Sequence, residues 1–284
     1  MNSRNIKSKT IAVFKITRPL NVFISFISIA IAAIICTIST YIADRILLAS
    51  VSGALATAAG NIINDLFDIE IDKINRPDRP LAANTLTESE AVFLCILFSF
   101  SSLLLAYFIN LPCFIIDTSA IILLFLYSFK LKKVILLGNF IVAFLTGLTF
   151  IYGGVSVNNL KYAIMPAAFA FLINMIREII KDMEDIEGDK SSGVFSFPYL
   201  YGSNLAKKVI VLFSLILITA TFIPYIFKFY KIEYFIVIMT LVNPVLVYTL
   251  RALFKNDDKK NLNKISLILK LDMLFGLIAI YLGK

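Results

Sequence analysis

Apolar runs of roughly 20 residues recur from one end of the chain to the other, the length a helix needs to cross a bilayer. They are continuous, which excludes a spanning β-barrel, whose strands alternate apolar and polar positions. The periodicity predicts nine spans, at 20–41, 46–66, 91–110, 114–130, 134–155, 162–181, 208–228, 233–254 and 265–283. Links after the first, third, fifth and seventh runs are short and nearly uncharged, whereas those after the second, fourth, sixth and eighth carry the charge. The expected fold class is therefore all-α integral membrane, with nine transmembrane helices bundled around a central cavity that opens to the cytoplasmic side.

Composition strengthens this picture. Of 284 residues, 59% are hydrophobic and 16% charged, against about a quarter charged in soluble domains. The start, "MNSRNIKSKT", is basic, but the following apolar run has no small-residue cleavage site, so the first run reads as a retained helix. One side of the expected topology carries twenty-two Lys and Arg, the other five. The positive-inside rule then puts the amino terminus and charged loops in the cytoplasm and the carboxyl terminus outside, as a multi-pass protein of the cell membrane. This asymmetry accounts for the net charge of +8 without nucleic acid, and no obligatory protein partner is evident. Cys36, Cys95 and Cys113 show no metal spacing, and histidine is absent. Acid–base or metal chemistry must fall to Asp, Glu, Lys, Arg or Tyr.

Two acidic clusters interrupt the oil on the same expected side. In "NDLFDIEIDKINRPDRP", Asn64, Asp68 and Asp72 are spaced i, i+4, i+8, one stripe on a continuing helix, with Asp65 beside it. The helix should stop at or before Arg76, because the residue ahead of a proline is pushed out of the α region. In "REIIKDMEDIEGDK", Asp185 and Asp189 repeat the i, i+4 spacing, Asp182 and Lys181 lie a turn earlier, and Gly188 offers a place to end or bend. A lone cluster in a wet loop reads as solvated surface; two facing clusters can hold Mg²⁺ while leaving positions open for a substrate's phosphates. Arg76, Arg79, Lys130, Lys132, Lys133 and Lys181 stand near enough in sequence to grip the remaining phosphate oxygens. A cation-coupled transporter would also carry intramembrane acids, but near mid-membrane and on broken helices, not at one end.

At these residues the chain resembles the UbiA superfamily of intramembrane prenyltransferases. "NDLFDIEID" matches that family's N-D-x-x-D-x-x-x-D motif in full, and "DMEDIEGD" its second Asp-rich motif; "TRPLN" at 17–21, "YSFKLKK" at 127–133 and "LGN" at 137–139 add to the likeness. "AGNIINDLFDIEIDKINRPDRPL" and "REIIKDMEDIEGDK" are similar to the archaeal, ether-lipid branch, with one departure, "LAANT" after Pro80 in place of a Pro-Ser-Gly turn.

The resemblance implies one domain over 1–284, with Asp-rich loops at 61–90 and 177–207. It implies two Mg²⁺ ions bridged by a donor pyrophosphate and held by Asn64, Asp68, Asp72, Asp182, Asp185 and Asp189, with Asp65 a ligand or a neighbour of one. Asp68, Asp72, Asp185 and Asp189 would carry the catalysis, and Tyr152 on span five would line the prenyl tunnel and steady a carbocation with its ring face. Arg18 and Asn21 of "TRPLN" would bind phosphate and support the site. The implied reaction moves a geranylgeranyl group from geranylgeranyl pyrophosphate to the free hydroxyl of geranylgeranylglyceryl phosphate. An aromatic prenyltransferase acting on 4-hydroxybenzoate or another quinone precursor is the nearest alternative. Asp272, isolated in the last span, has Lys270 and Lys264 as possible partners and no role.

Overall fold

The computed structural model describes residues 3–37, 43–186 and 195–284, and among these there are helices and turns but no strand. In chain order the helices are α1 (Ser3–Ile16), α2 (Pro19–Cys36), α3 (Ala43–Phe67), α4 (Ile69–Asn75), α5 (Glu88–Ile109), α6 (Leu111–Phe129), α7 (Leu137–Ser156) and α8 (Ile164–Glu184). There follow α9 (Phe197–Tyr201), α10 (Ser203–Ile226), α11 (Ile232–Val237), α12 (Asn243–Lys255) and α13 (Lys259–Gly283), with a π-helical turn at Ile238–Val242 joining α11 to α12.

Eight helices among the described residues are long and apolar enough to cross a membrane, counting α11 and α12 as one. They fall on eight of the nine expected spans, within a few residues at each end. The remaining run, α8, has 21 residues but carries Arg177, Glu178, Lys181, Asp182 and Glu184 in its second half, which sets it apart from the apolar eight. The outer faces of α5 and α6 leave Phe93, Phe100, Phe108 and Phe129 largely exposed, a distribution that suits lipid and not water. The chain is a multi-pass membrane protein.

Local chemistry sets the helix ends. Thr87 and Glu90 form a reciprocal capping box at the start of α5, each satisfying a backbone N–H that the helix leaves orphaned. Asn110 caps α6 by accepting the N–H of Cys113 at 2.8 Å, and Asp258 caps α13 through the N–H of Asn261 at 2.7 Å. Pro19 and Pro112 sit in the first turns of α2 and α6, where their missing N–H costs nothing.

Small residues bring the helices together. α3 buries Ala49, Ser50, Ser52, Ala56, Ala59 and Gly60 and packs against α2, α5 and α6, small side chains allowing the close approach that takes the place of hydrophobic driving force in lipid. On α7, a Cβ at Gly153 would lie 2.5 Å from the carbonyl oxygen of Ile29 on α2, and one at Gly147 would lie 2.8 Å from that of Ala167 on α8. α7 is thus wedged between the two helices that carry much of the site.

Candidate active site

The first acidic motif straddles a bend. α3 ends at Phe67 and α4 begins at Ile69, with Asp68 between them at φ −106° and ψ 10°, so the expected continuous stripe is broken there. Backbone bonds nevertheless run from Asp68 N–H to Asn64 O at 3.0 Å and from Asp72 N–H to Asp68 O at 2.7 Å, keeping the three side chains in one file. The bend falls where the Asp68 carboxylate is tied twice, by Asn64 Nδ2 at 3.0 Å and by Lys132. α4 stops at Asn75, just ahead of Arg76-Pro77, as the proline requires.

Four carboxylates of this end meet a cation. Arg18 and Arg79 both pair with Asp65, Arg79 also with Asp72 at 2.5 Å, Lys132 with Asp68, and Arg76 with Asp185 at 3.6 Å. Burial pushes the Asp72 carboxyl above the ordinary aspartate value, and Arg79 beside it pulls the other way. Asp65 is 2% exposed and does not face the cavity; it anchors the two arginines from behind. Arg18 does this from a left-handed backbone conformation, φ 53° at the cap of α2, as does Leu136 at the cap of α7, φ 58°. Such conformations cost about 1–3 kcal/mol for a non-glycine residue and persist where surrounding contacts hold them.

The second motif comes from α8, whose last residue is Glu184; Asp185 caps it through a backbone bond to Lys181 O. The helix thus ends before Gly188, and Gly188 and Asp189 lie outside the described residues. Asp182 accepts from Asn139 Nδ2 on α7 at 2.8 Å.

Both motifs line one cavity of about 680 Å³, within the usual range for ligand pockets. Asn64, Asp68, Asp72, Asp182, Asp185, Arg18, Asn21, Arg76, Arg79, Lys132, Lys181 and Tyr152 all face it. Lys130 and Lys133, expected with them, are exposed and do not. The wall below is mostly apolar, with Ile24, Ile29, Leu124, Val142 and Leu148, and the cavity reaches Asp117 and Tyr152. There the Ser102 hydroxyl has two acceptors within reach of its one proton, Asp117 Oδ2 at 2.6 Å and the Ser52 carbonyl at 2.7 Å, and Ser52 Oγ bonds Tyr152 OH at 2.8 Å.

Tyr152 lies deep in the cavity. Ser52 and Asp68 are sixteen positions apart along α3, about 24 Å at 1.5 Å per residue. Tyr152 lines the cavity, as expected, but at the far end from the Asp-rich mouth. Tyr127, within electrostatic reach of Asp68, Asp182 and Arg18, is the tyrosine that lines the cavity at the mouth. It stands in the quoted "YSFKLKK" and had no signal of its own among twelve tyrosines. Asn139, Asn174, Arg177, Glu178 and Lys270 also face the cavity and were not singled out by spacing. Lys270 bonds Asn21 Oδ1 at 2.5 Å, so it is not the partner of Asp272, whose two carboxylate oxygens have none among the described residues.

Among the described residues no three acidic side chains converge as a ready metal cluster; Asp65, Asp68, Asp72 and Asp185 are each paired with a cation. The donor set nevertheless suits Mg²⁺. Asn64, Asp68 and Asp72 from one element and Asp182 and Asp185 from another offer hard oxygen ligands around one open space, with no histidine in the chain and no cysteine on the cavity wall.

Residues 17–273 match the UbiA prenyltransferase family. The chain is similar to digeranylgeranylglyceryl phosphate synthase of Methanosphaera stadtmanae, 34% identical over 95% of this chain and 97% of that one. It is similarly related to the enzyme of that name from Thermococcus kodakarensis, 34% identical over 94% and 96%. A solved structure of digeranylgeranylglyceryl phosphate synthase superposes with TM-score 0.73 at 34% identity, over 97% of this chain and 98% of that one. A UbiA homologue from Archaeoglobus fulgidus bound to DMAPP and Mg²⁺, 22% identical, shares the fold with TM-score 0.71 over 94% and 98%. The chain belongs to the UbiA prenyltransferase family.

Proposed function

We infer that the protein transfers a geranylgeranyl group from geranylgeranyl pyrophosphate to the free hydroxyl of geranylgeranylglyceryl phosphate, with Mg²⁺ as cofactor, in the cell membrane. The observation that carries this reading is the form of the cavity: a charged mouth where both Asp-rich motifs meet, continued by an apolar tunnel toward mid-bilayer. Likeness over nearly the whole length to digeranylgeranylglyceryl phosphate synthases supports the acceptor. Counting α8 with the eight apolar helices supports a reading of nine spans, and the excess of Lys and Arg beside the mouth supports a cytoplasmic mouth with the carboxyl terminus outside.

Asn64, Asp68, Asp72, Asp182 and Asp185, with Asp189, are the residues that would hold two Mg²⁺ ions. Bound there, the ions neutralise charge that builds on the leaving pyrophosphate. Arg76, Arg79 and Lys132 are placed to hold the pyrophosphate oxygens, and repulsion among the aspartates favours cation binding. The donor C–O bond breaks with its electron pair on the pyrophosphate, and the allylic carbon bonds the acceptor's hydroxyl oxygen, whose proton leaves toward the carboxylate- and phosphate-rich mouth. Tyr127 shields the reacting carbon, and the aliphatic wall below keeps water from it. A dissociative transfer of this kind depends on exclusion of water more than on a strong base.

The test is transfer of radiolabelled geranylgeranyl groups by purified protein to geranylgeranylglyceryl phosphate, run against 4-hydroxybenzoate. Product on the glyceryl phosphate, abolished by EDTA and reduced about a hundredfold or more in Asp68→Ala and Asp185→Ala, is expected. Preference for the phenol, or transfer that survives EDTA, would overturn the reading.

A further inference from the structure

Charge is distributed unevenly around the cavity. At the Asp-rich end four cations, Arg18, Arg76, Arg79 and Lys132, pair with Asp65, Asp68, Asp72 and Asp185, and Asp182 is a fifth carboxylate, bonded by Asn139. Across from them, α8 presents Asn174, Arg177, Glu178 and Lys181 on one face at i, i+3, i+4 and i+7 spacing, and α13 adds Lys270. Here three cations share one carboxylate. Arg177 Nη1 and Lys181 Nζ both bond the same oxygen, Glu178 Oε1, at 3.1 and 2.7 Å. Lys270 has no carboxylate partner among the described residues and rests on the amide oxygen of Asn21. The buried Nε of Arg177 has no hydrogen-bond partner among the described residues.

Three like charges around a partly enclosed space repel unless an anion joins them. Lys270 lies within electrostatic reach of Arg177, Lys181 and Arg18, with Glu178 the one opposing charge. The surplus of two positive charges matches a phosphate monoester, which carries close to two negative charges at neutral pH. Glu178 is the one carboxylate bonded to Arg177 and Lys181 among the described residues, fewer than a divalent metal would need. An anion bound here is held by side chains alone, unlike a pyrophosphate at the Asp-rich end. Arg18, in reach of Asp65 and Asp72 on one side and of Glu178 and Lys181 on the other, stands between the two halves.

Building on the function proposed above, we propose that Arg177, Lys181 and Lys270 form a separate, metal-independent subsite that holds the phosphate of the acceptor lipid. The subsite selects a phosphorylated acceptor over a neutral alcohol or phenol. It anchors the acceptor's headgroup across the cavity from the donor's pyrophosphate, with the free hydroxyl between them. Lys181 thereby serves the acceptor and not the donor.

Two measurements test this. The first is equilibrium binding of radiolabelled geranylgeranylglyceryl phosphate to the full-length protein in EDTA, with inorganic phosphate and geranylgeranylglycerol as competitors. Binding by wild type, weakened about tenfold or more in Lys270→Met and Arg177→Gln and restored in Lys270→Arg, is expected. The lipid alcohol should compete poorly. The second is steady-state kinetics, in which these variants should raise KM for the phosphorylated acceptor about tenfold and leave KM for geranylgeranyl pyrophosphate unchanged, which also shows that the site is folded. Binding that requires Mg²⁺, an unchanged acceptor KM, or a rise confined to the donor KM would overturn the subsite. A wild-type protein that binds the lipid phosphate but makes no product from it refutes the function proposed above and leaves the subsite standing.

Discussion

The mouth of the cavity and the middle of the bundle treat carboxylates in opposite ways. At the mouth, Asp65, Asp68, Asp72 and Asp185 each meet an arginine or lysine, and Arg79 serves two of them. Deeper in, Asp117 is held by a serine hydroxyl, and Asp272 by nothing among the described residues. Removing water from a charge is costly everywhere in the protein, but the two regions meet that cost differently. At the mouth, arginines and lysines balance the acids directly. In the spans, the acid is either part of a neutral-type hydrogen-bond chain or a liability.

The largest break in this contrast should come from Arg79→Ala, which strips a partner from buried Asp65 and from Asp72 at once. Losing one side of a buried pair costs about 3 kcal/mol or more, so a marked fall in melting temperature in detergent is expected, greater than for Arg76→Ala, whose 3.6 Å pair is looser and more exposed. Equal effects of the two would mean that Asp65 is not the anchor. In the opposite direction, Asp272→Leu replaces two unpartnered oxygens with a side chain of similar branching. It should raise the melting temperature by about 2–4 °C with turnover intact, since an unmet buried polar group costs about 1–3 kcal/mol. A fall together with lost turnover would show that the carboxyl has a working partner.

The smallest effect lies outside the spans, at the Lys207–Asp257 pair between the start of α10 and the loop before α13, 2.8 Å apart. The hydrogen bond from Lys207 holds the Asp257 carboxyl below its ordinary value of 3.8. A depressed folded value means that the pair stabilises fully above the unfolded value and is lost as pH falls through the lower, folded one. Asp257 is half exposed, so the contribution is under about 1 kcal/mol and screened by salt. Melting between about pH 5 and about pH 3 should fall slightly less in Asp257→Asn than in wild type, the gap closing at high salt; a gap that persists in salt would contradict a surface pair.

The spans were legible because a membrane helix must satisfy its backbone internally and show an unbroken apolar run. The two motifs were legible because "NDLFDIEID" and "DMEDIEGD" put oxygens at helical spacing on one side of the membrane. What spacing could not show is who meets them. Lys270 reaches Asn21 across 249 positions, Asn139 meets Asp182 across 43, and Lys132 meets Asp68 across 64. Such pairings depend on how helices rotate about their axes, which a local pattern leaves open. Charge alone was ambiguous for the same reason: of three lysines in "KLKK", only Lys132 turns inward. Depth was the other blind spot, since Tyr152 and Tyr127 look alike in sequence and lie at opposite ends of the tunnel.

The glycines of α7 have a consequence for anyone who would reshape this enzyme. Gly153 abuts the backbone of α2 and Gly147 that of α8, and those helices carry Asn21 at one end and Arg177, Lys181 and Asp182 at the other. Any side chain at either position acts as a shim, prying apart the pillars whose tips grip the substrates. The width of the gate is thus gauged far below it, in the middle of the bilayer. Libraries meant to admit bulkier acceptors should vary the lining, at Val142 or Thr146, and leave both glycines alone.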